Sequence, residues 1–379
     1  MRAAAQRSTS LTERATTTLG APGGVGAASA QWLPRAPIMS AASPPHTPDE
    51  SDRRRGSSRS GAARPGSRWH GVWRVLSWAF VALVCVLVVR HALKTDWRAV
   101  GDALRQASAA DLVLAALLAG ISHLLYTTFD LIGRHQTRHG LSVRQTLGVG
   151  FVSYAFNLNF GALIGGVGFR FRQYAQLGLR APVISQILAL SVLTNWVGYF
   201  LVGGVLFIAK PPALPEDWGL SIWGLRAIGA GLLAGVAVYF LVCAISGGRA
   251  LRWRGRSLHL PTLPLAVLQA SLSSCNWLVA AGIVYVLLGE IDYALVTSVF
   301  LTAAVAGAMA HVPAGLGVLE AVFIALLGHE MPSTSILAAL LAYRAIYYLG
   351  PLALAGVVLV VSRKSKRARR ARISSSQRA

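Results

Sequence analysis

At 379 residues, 54% hydrophobic and only 13% charged, with a mean hydropathy of +0.53, the chain carries about half the charge density of an ordinary soluble domain. Its formal net charge of +22 would suit nucleic acid, but the basic residues gather at the termini and in short loops between apolar runs. That is the positive-inside pattern of a membrane protein, and it excludes a basic nucleic-acid groove.

Residues 1–70 are rich in Ala, Ser, Arg, Pro and Gly and show neither helical nor strand periodicity. Such a segment buries too little apolar surface to offset its ordering entropy and reads as a disordered basic arm. No apolar stretch follows its first arginines, so it is not a signal peptide; Met39 offers an alternative start to Met1. The membrane domain then runs over 71–361, and a basic tail occupies 362–379.

Apolar runs of 18 to 25 residues cross a hydrocarbon core of about 30 Å as helices. Full spans are expected at about 71–90, 111–133, 182–208, 221–244, 263–288 and 335–361. The runs 146–180 and 294–332 are broken near their middles by Gly or Pro. Arg134, Arg138 and Arg144 follow the second span, and Arg249, Arg252, Arg254 and Arg256 follow 221–244, so both loops read as cytoplasmic. The opposite loops carry Glu216, Asp217, Glu290 and Asp292. With the basic tail inside, both termini are cytoplasmic.

Run 146–180 begins beside Arg144 and ends with Arg170, Arg172 and Arg180, so it leaves and returns on the cytoplasmic side. Run 294–332 begins after the external acids and precedes a span that must end inside. The expected fold is therefore all-α and polytopic, with about six full spans plus two re-entrant hairpins in an inverted repeat. Transporters built this way hold substrate near the midplane, where the broken helices meet. The alternative is a pair of ordinary full spans carrying a few glycines.

The first hairpin tip carries Asn157, Gly165, Gly166, Gly168, Arg170 and Arg172; the second carries His311, Pro313, Gly315, Gly317 and Glu320. Glycines allow a sharp reversal with bare amides, and a helix starting after them aims its positive end at the tip, where a phosphate would fit. Neither string is a P-loop, and glycine also serves close helix packing. Ionisable groups within spans cost roughly 2.5–3.5 kcal/mol each at a helix centre and need a partner or water. Asp130, Glu320 and Arg344 are such groups. Asp130 alternatively reads as an interfacial acid, and Glu320 with Arg344 as a structural ion pair. His123, Asn195 and Asn276 read as interhelical hydrogen bonders rather than ligands. Cys85, Cys243 and Cys275 lie inside apolar runs without CxxC spacing, so no metal or disulfide is expected. Gly-x-Ser-x-Gly and His-Glu-x-x-His are absent, and His329-Glu330 lacks the second His. The expectation is a protein that is not an enzyme and uses no cofactor.

Five strings carry a resemblance: SYAFNL at 153–158, GGVGFRFRQYAQLGL at 165–179, TNWVGY at 194–199, HVPAGLGVLEAVFIALL at 311–327 and AALLAYRAIYY at 338–348. Across about 70–361 the chain resembles the transmembrane (flippase) domain of bacterial lysyl-phosphatidylglycerol synthases and its stand-alone relatives. The resemblance implies movement of phospholipid between leaflets of the bacterial inner membrane. In two-part relatives a soluble aminoacyl-transfer domain follows the membrane domain; here a basic tail stands in that place, so lysine transfer is not expected. It also implies that the tip residues, Arg170, Arg172, Glu320 and Arg344 serve the substrate. An arginine would pair an anionic headgroup phosphate, and Glu320 or Asp130 would balance a cation or exchange a proton. The competing expectation is a non-transporting scaffold whose basic arms hold anionic lipid or a lipid-synthesising enzyme.

Overall fold

The computed structural model describes residues 97–361, apart from 216–217, 249, 254–255, 290 and 311–314. The expected arm at 1–70, the span at 71–90, the tail at 362–379, and His311 and Pro313 lie outside the described residues.

The described chain begins with a short helix, α1 (Trp97–Gln106), which packs against the start of the last long helix. Helix α2 (Ala109–Thr137) follows, its N-terminus capped by Ser108, whose side chain accepts from the Asp111 amide. Helix α3 (Val143–Gly161) opens with a capping box between Ser142 and Gln145. A wide π-type stretch over Ala162–Phe169 leads into the short α4 (Arg170–Gln176). Then come α5 (Ala181–Ala209) and α6 (Ile222–Ser246). A two-stranded antiparallel ribbon, β1 (Ala250–Trp253) with β2 (Arg256–His259), follows, with Ala250 opposite His259 and Trp253 opposite Arg256. The chain closes with α7 (Leu263–Leu288), α8 (Tyr293–Ala310), α9 (Val318–Leu327) and α10 (Ser333–Tyr343). Helix α10 runs through a π-type stretch, Arg344–Leu349, and stays helical to Val361.

Among the described residues, seven helical segments are long and apolar enough to cross a membrane: Ala109–Thr137, Val143–Gln176, Ala181–Ala209, Ile222–Ser246, Leu263–Leu288, Tyr293–Ala310 and Ser333–Val361. The protein is thus helical and polytopic. The ribbon at 250–259 is an addition to the all-α expectation, set in the arginine-rich loop where charge rather than apolar periodicity dominates.

Segment Val143–Gln176 is not straight. Phe156 and Phe169 stack with ring centroids 4.3 Å apart, whereas thirteen residues of continuous helix would separate them by about 20 Å. Gln173 also reaches Ser153, donating from Nε2 to Oγ at 3.3 Å. The chain therefore folds back at Gly161, whose φ of 82° belongs to the region where only glycine is unstrained. Gly165 then lies so close to the Phe156 carbonyl that a Cβ there would overlap it. Helices α8 and α9 likewise pack on each other, and a Cβ on Gly307 would stand 3.8 Å from the Gly315 Cα. The chain thus doubles back between α8 and α9.

The largest apolar cluster joins α2, α7, α8, α9 and α10 through residues such as Phe129, Ile283, Val299, Phe323 and Leu340. A separate cluster, including Val202 and Phe207, joins α5 to α6 and α8. Helix α6 is mostly exposed, with Trp223, Val238, Leu241 and Ile245 all facing outward, as a helix bordering lipid should be.

Candidate functional site

A cavity of about 280 Å³ lies between the two reversals. Gly161 and Ala162 reach it from the first folded-back segment, and Gly307, Ala308 and Gly315 from the second. The small residues at the turns leave the open space, and larger side chains on the neighbouring helices make the walls. Tyr126, Tyr154, Tyr343, Tyr347 and Tyr348 supply hydroxyls and ring faces; Asn157, Asn195 and Asn276 supply carboxamides. Trp277 and Phe300 complete the aromatic part. Among the described residues, no charged side chain lines the space.

The wall is held by a chain of hydrogen bonds. Ser122 Oγ donates to Asn276 Oδ1 at 2.8 Å and lies 2.8 Å from the Tyr347 hydroxyl. That hydroxyl stands 2.7 Å from the Tyr154 hydroxyl, linking α7, α2, α10 and α3. Tyr126 stacks on Tyr154 at 3.6 Å, and Tyr343 on Tyr347 at 5.2 Å. A buried polar network of this kind specifies one packing because each broken member leaves an unsatisfied group. The wide helical turn at Arg344–Leu349 puts Tyr347 and Tyr348 in the wall, and π-type turns recur at functional positions in helices.

Behind the wall stand two buried ion pairs. Arg344 Nε and Nη2 donate to Glu320 Oε1 and Oε2 at 2.6 and 2.9 Å, a two-pronged pairing. Arg344 Nη2 also donates to the Gly315 carbonyl at 3.1 Å, and Glu320 Oε2 accepts from the Gly317 amide at 3.0 Å. The pair therefore ties the second reversal to α10, and Glu320 meets the positive end of α9. In the first half Arg170 Nη1 lies 3.2 Å from Asp130 Oδ1 and donates to Ser191 Oγ at 2.8 Å. Tyr174 donates to Asp130 Oδ2 at 2.7 Å. Asp130 is wholly buried, whereas an interfacial acid would reach water. Each arginine sits over a tyrosine of the wall: Arg170 over Tyr126 at 5.6 Å and Arg344 over Tyr348 at 5.7 Å.

Of the residues singled out in the sequence, Asn157 and Gly315 line the cavity. Asp130 with Arg170, and Glu320 with Arg344, form the two pairs one side chain behind it. Gly317 caps α9 through Glu320. Gly165 and Gly166 pack against α3 at Phe156 and Asn157. Gly168 belongs to the π-type stretch, and Arg172 to α4. Asn195 and Asn276, read in sequence as interhelical hydrogen bonders rather than ligands, also line the cavity, and Asn276 does bond across helices to Ser122; the wall tyrosines and Trp277 were not singled out. Their signal in sequence was weak, because a tyrosine in an apolar helix reads as core.

The family model described as the lysylphosphatidylglycerol synthase TM region matches residues 74–355. The chain belongs to this family. Among curated proteins, it is 43% identical over 290 residues to the inner membrane protein YbhN of Escherichia coli (strain K12), covering 76% of this chain and 91% of that one. It is 36% identical over 245 residues to the uncharacterized protein slr0712 of Synechocystis sp., covering 63% and 75%. The family match takes in both folded-back segments and every residue of the cavity wall.

Proposed function

We propose that the protein is an inner-membrane lipid transporter that carries a headgroup between leaflets through the cavity while the acyl chains stay in the bilayer. The observation that carries this reading is the cavity's position between two reversals, one in each half of the chain. Helix-breaking backbone within a membrane is tolerated where it is buried or lines a polar space, and the two tips do line one. At about 280 Å³ the space is at the lower limit of small-molecule pockets, suited to a headgroup rather than a whole lipid. In this reading the two folded-back segments enter and leave the membrane from opposite sides, each flanked by two full spans, and a membrane lipid is the passenger. The described lining offers hydroxyls, amides and rings but no carboxylate, histidine or thiol, in keeping with carriage rather than covalent chemistry. Uphill movement would draw on an ion gradient or a partner, since the sequence holds no nucleotide-binding motif.

The test is purified protein in liposomes, assayed for leaflet exchange of labelled lipids by dithionite quenching. Exchange above that of protein-free vesicles supports transport. Lipid binding without exchange would instead favour a scaffold. A paired variant, Asn276→Leu with Tyr347→Phe, removes polar contacts from the wall and should slow exchange at least about tenfold in protein that still folds.

A further inference from the structure

The cavity has a chemistry of its own, apart from the ion pairs behind it. Its described walls hold no side chain of either charge. Both nearby arginines are committed. Arg344 is held by both oxygens of Glu320 and by the Gly315 carbonyl, and Arg170 by Asp130 and Ser191. The amide-rich turn that could have met an anion is met by the protein's own Glu320. A phosphate entering here would lose its hydration without gaining a cation, the costly case for a buried charge. A cation would meet no carboxylate among the described residues, only ring faces, and two of these, Tyr126 and Tyr348, already face an arginine.

What the walls do offer is unspent neutral hydrogen bonding. Asn157 and Asn195 are half-buried, and among the described residues neither carboxamide has a hydrogen-bond partner within the protein, although both line the cavity. A half-buried amide that faces open space without a protein partner keeps its donors and acceptor for a guest, so these two are open to a ligand. Each can accept through its oxygen and donate through its nitrogen, which matches a ligand whose hydroxyls do both. Trp277 and the tyrosines add flat apolar faces for the C–H side of such a ligand.

We infer that the cavity takes an uncharged, hydroxyl-bearing headgroup, such as the sugar of a glycosyl-diacylglycerol, and that its walls reject a charged group of either sign. This rests on the transport reading and narrows its substrate class.

The experiment compares three labelled lipids in the same proteoliposomes: glucosyl-diacylglycerol, phosphatidic acid and a cationic trimethylammonium lipid. The expected result is exchange of the glucolipid at least about tenfold faster than of either charged lipid. Asn157→Ala with Asn195→Ala should abolish that preference while leaving thermal stability unchanged. Equal or faster exchange of a charged lipid overturns the inference and leaves transport standing. If none of the three exchanges, transport of these lipids fails, and native mass spectrometry of the solubilised protein decides the cavity's chemistry. Retention of the glucolipid over phosphatidic acid and the cationic lipid, lost in the double variant, supports the inference; no preference overturns it.

Discussion

Glu320 and Arg344 show how one pair can be read at residue scale. The sequence places an acid three residues past Gly317 and an arginine in the next span, and the structure joins them with two hydrogen bonds. The helix dipole favours Glu320 at the start of α9 by only about 0.3–1 kcal/mol, so Arg344 supplies most of the compensation for burial. Removing one member of a buried pair costs about 3–5 kcal/mol. Glu320→Gln should therefore lower the thermal midpoint in detergent markedly, and adding Arg344→Gln should cost little more. A fully additive second loss would show that the two residues act separately. Asp130→Asn tests the other pair: Arg170 and Tyr174 would lose the carboxylate they share, and the expected loss is of similar size. The acids and arginines were legible because an ionisable group stands out in an apolar run. The wall tyrosines did not stand out, since their role comes from neighbours more than 100 residues away, as Tyr154 and Tyr347 show.

At the scale of elements, the two breaks were legible from glycine clusters and from the charges flanking them. The turning points were less so. Asn157 to Tyr174 holds four glycines, and sequence alone does not say that Gly161 makes the turn while Gly165 makes the close contact. Gly165→Ala should destabilise the folded-back segment by about 3 kcal/mol, because its new methyl group meets backbone of α3 rather than a movable side chain. Gly148→Ala, where nothing lies within 4 Å, should leave the thermal midpoint unchanged or slightly raised. Comparing the two midpoints checks the turn. The π-type stretches at Ala162–Phe169 and Arg344–Leu349 had no sequence signal, because their apolar pattern also suits an ordinary helix. The ribbon at 250–259 was hidden by the arginines that crowd it.

For the whole molecule, helix type followed from hydropathy, and the five expected full spans that fall among the described residues lie within long helices at nearly the expected bounds. Sidedness is a separate matter, and it carries a prediction. Gln176 and Asp292 are exposed, one beyond each folded-back segment's inner or outer base. Single cysteines there, in a background lacking native cysteines, should react differently with a membrane-impermeant thiol reagent in intact cells. Asp292→Cys should label from outside, and Gln176→Cys only after the membrane is opened. Labelling of both from outside would overturn opposed folded-back segments and leave ordinary spans.

The two ion pairs have a consequence for how the protein behaves in an energised cell. Each of these two arginines is accompanied by an acid on a neighbouring helix, so a pair that stays closed as the helices rock together adds no net charge to the movement through the electric field. A single uncompensated charge crossing the whole field would feel about 2.3 kcal/mol for every 100 mV, enough to bias direction strongly. With paired charges and an uncharged guest, exchange should run at the same rate whether a valinomycin–potassium gradient polarises the vesicles or not. A rate that rises or falls with voltage would mean that a pair opens during the cycle, or that the passenger brings a charge of its own.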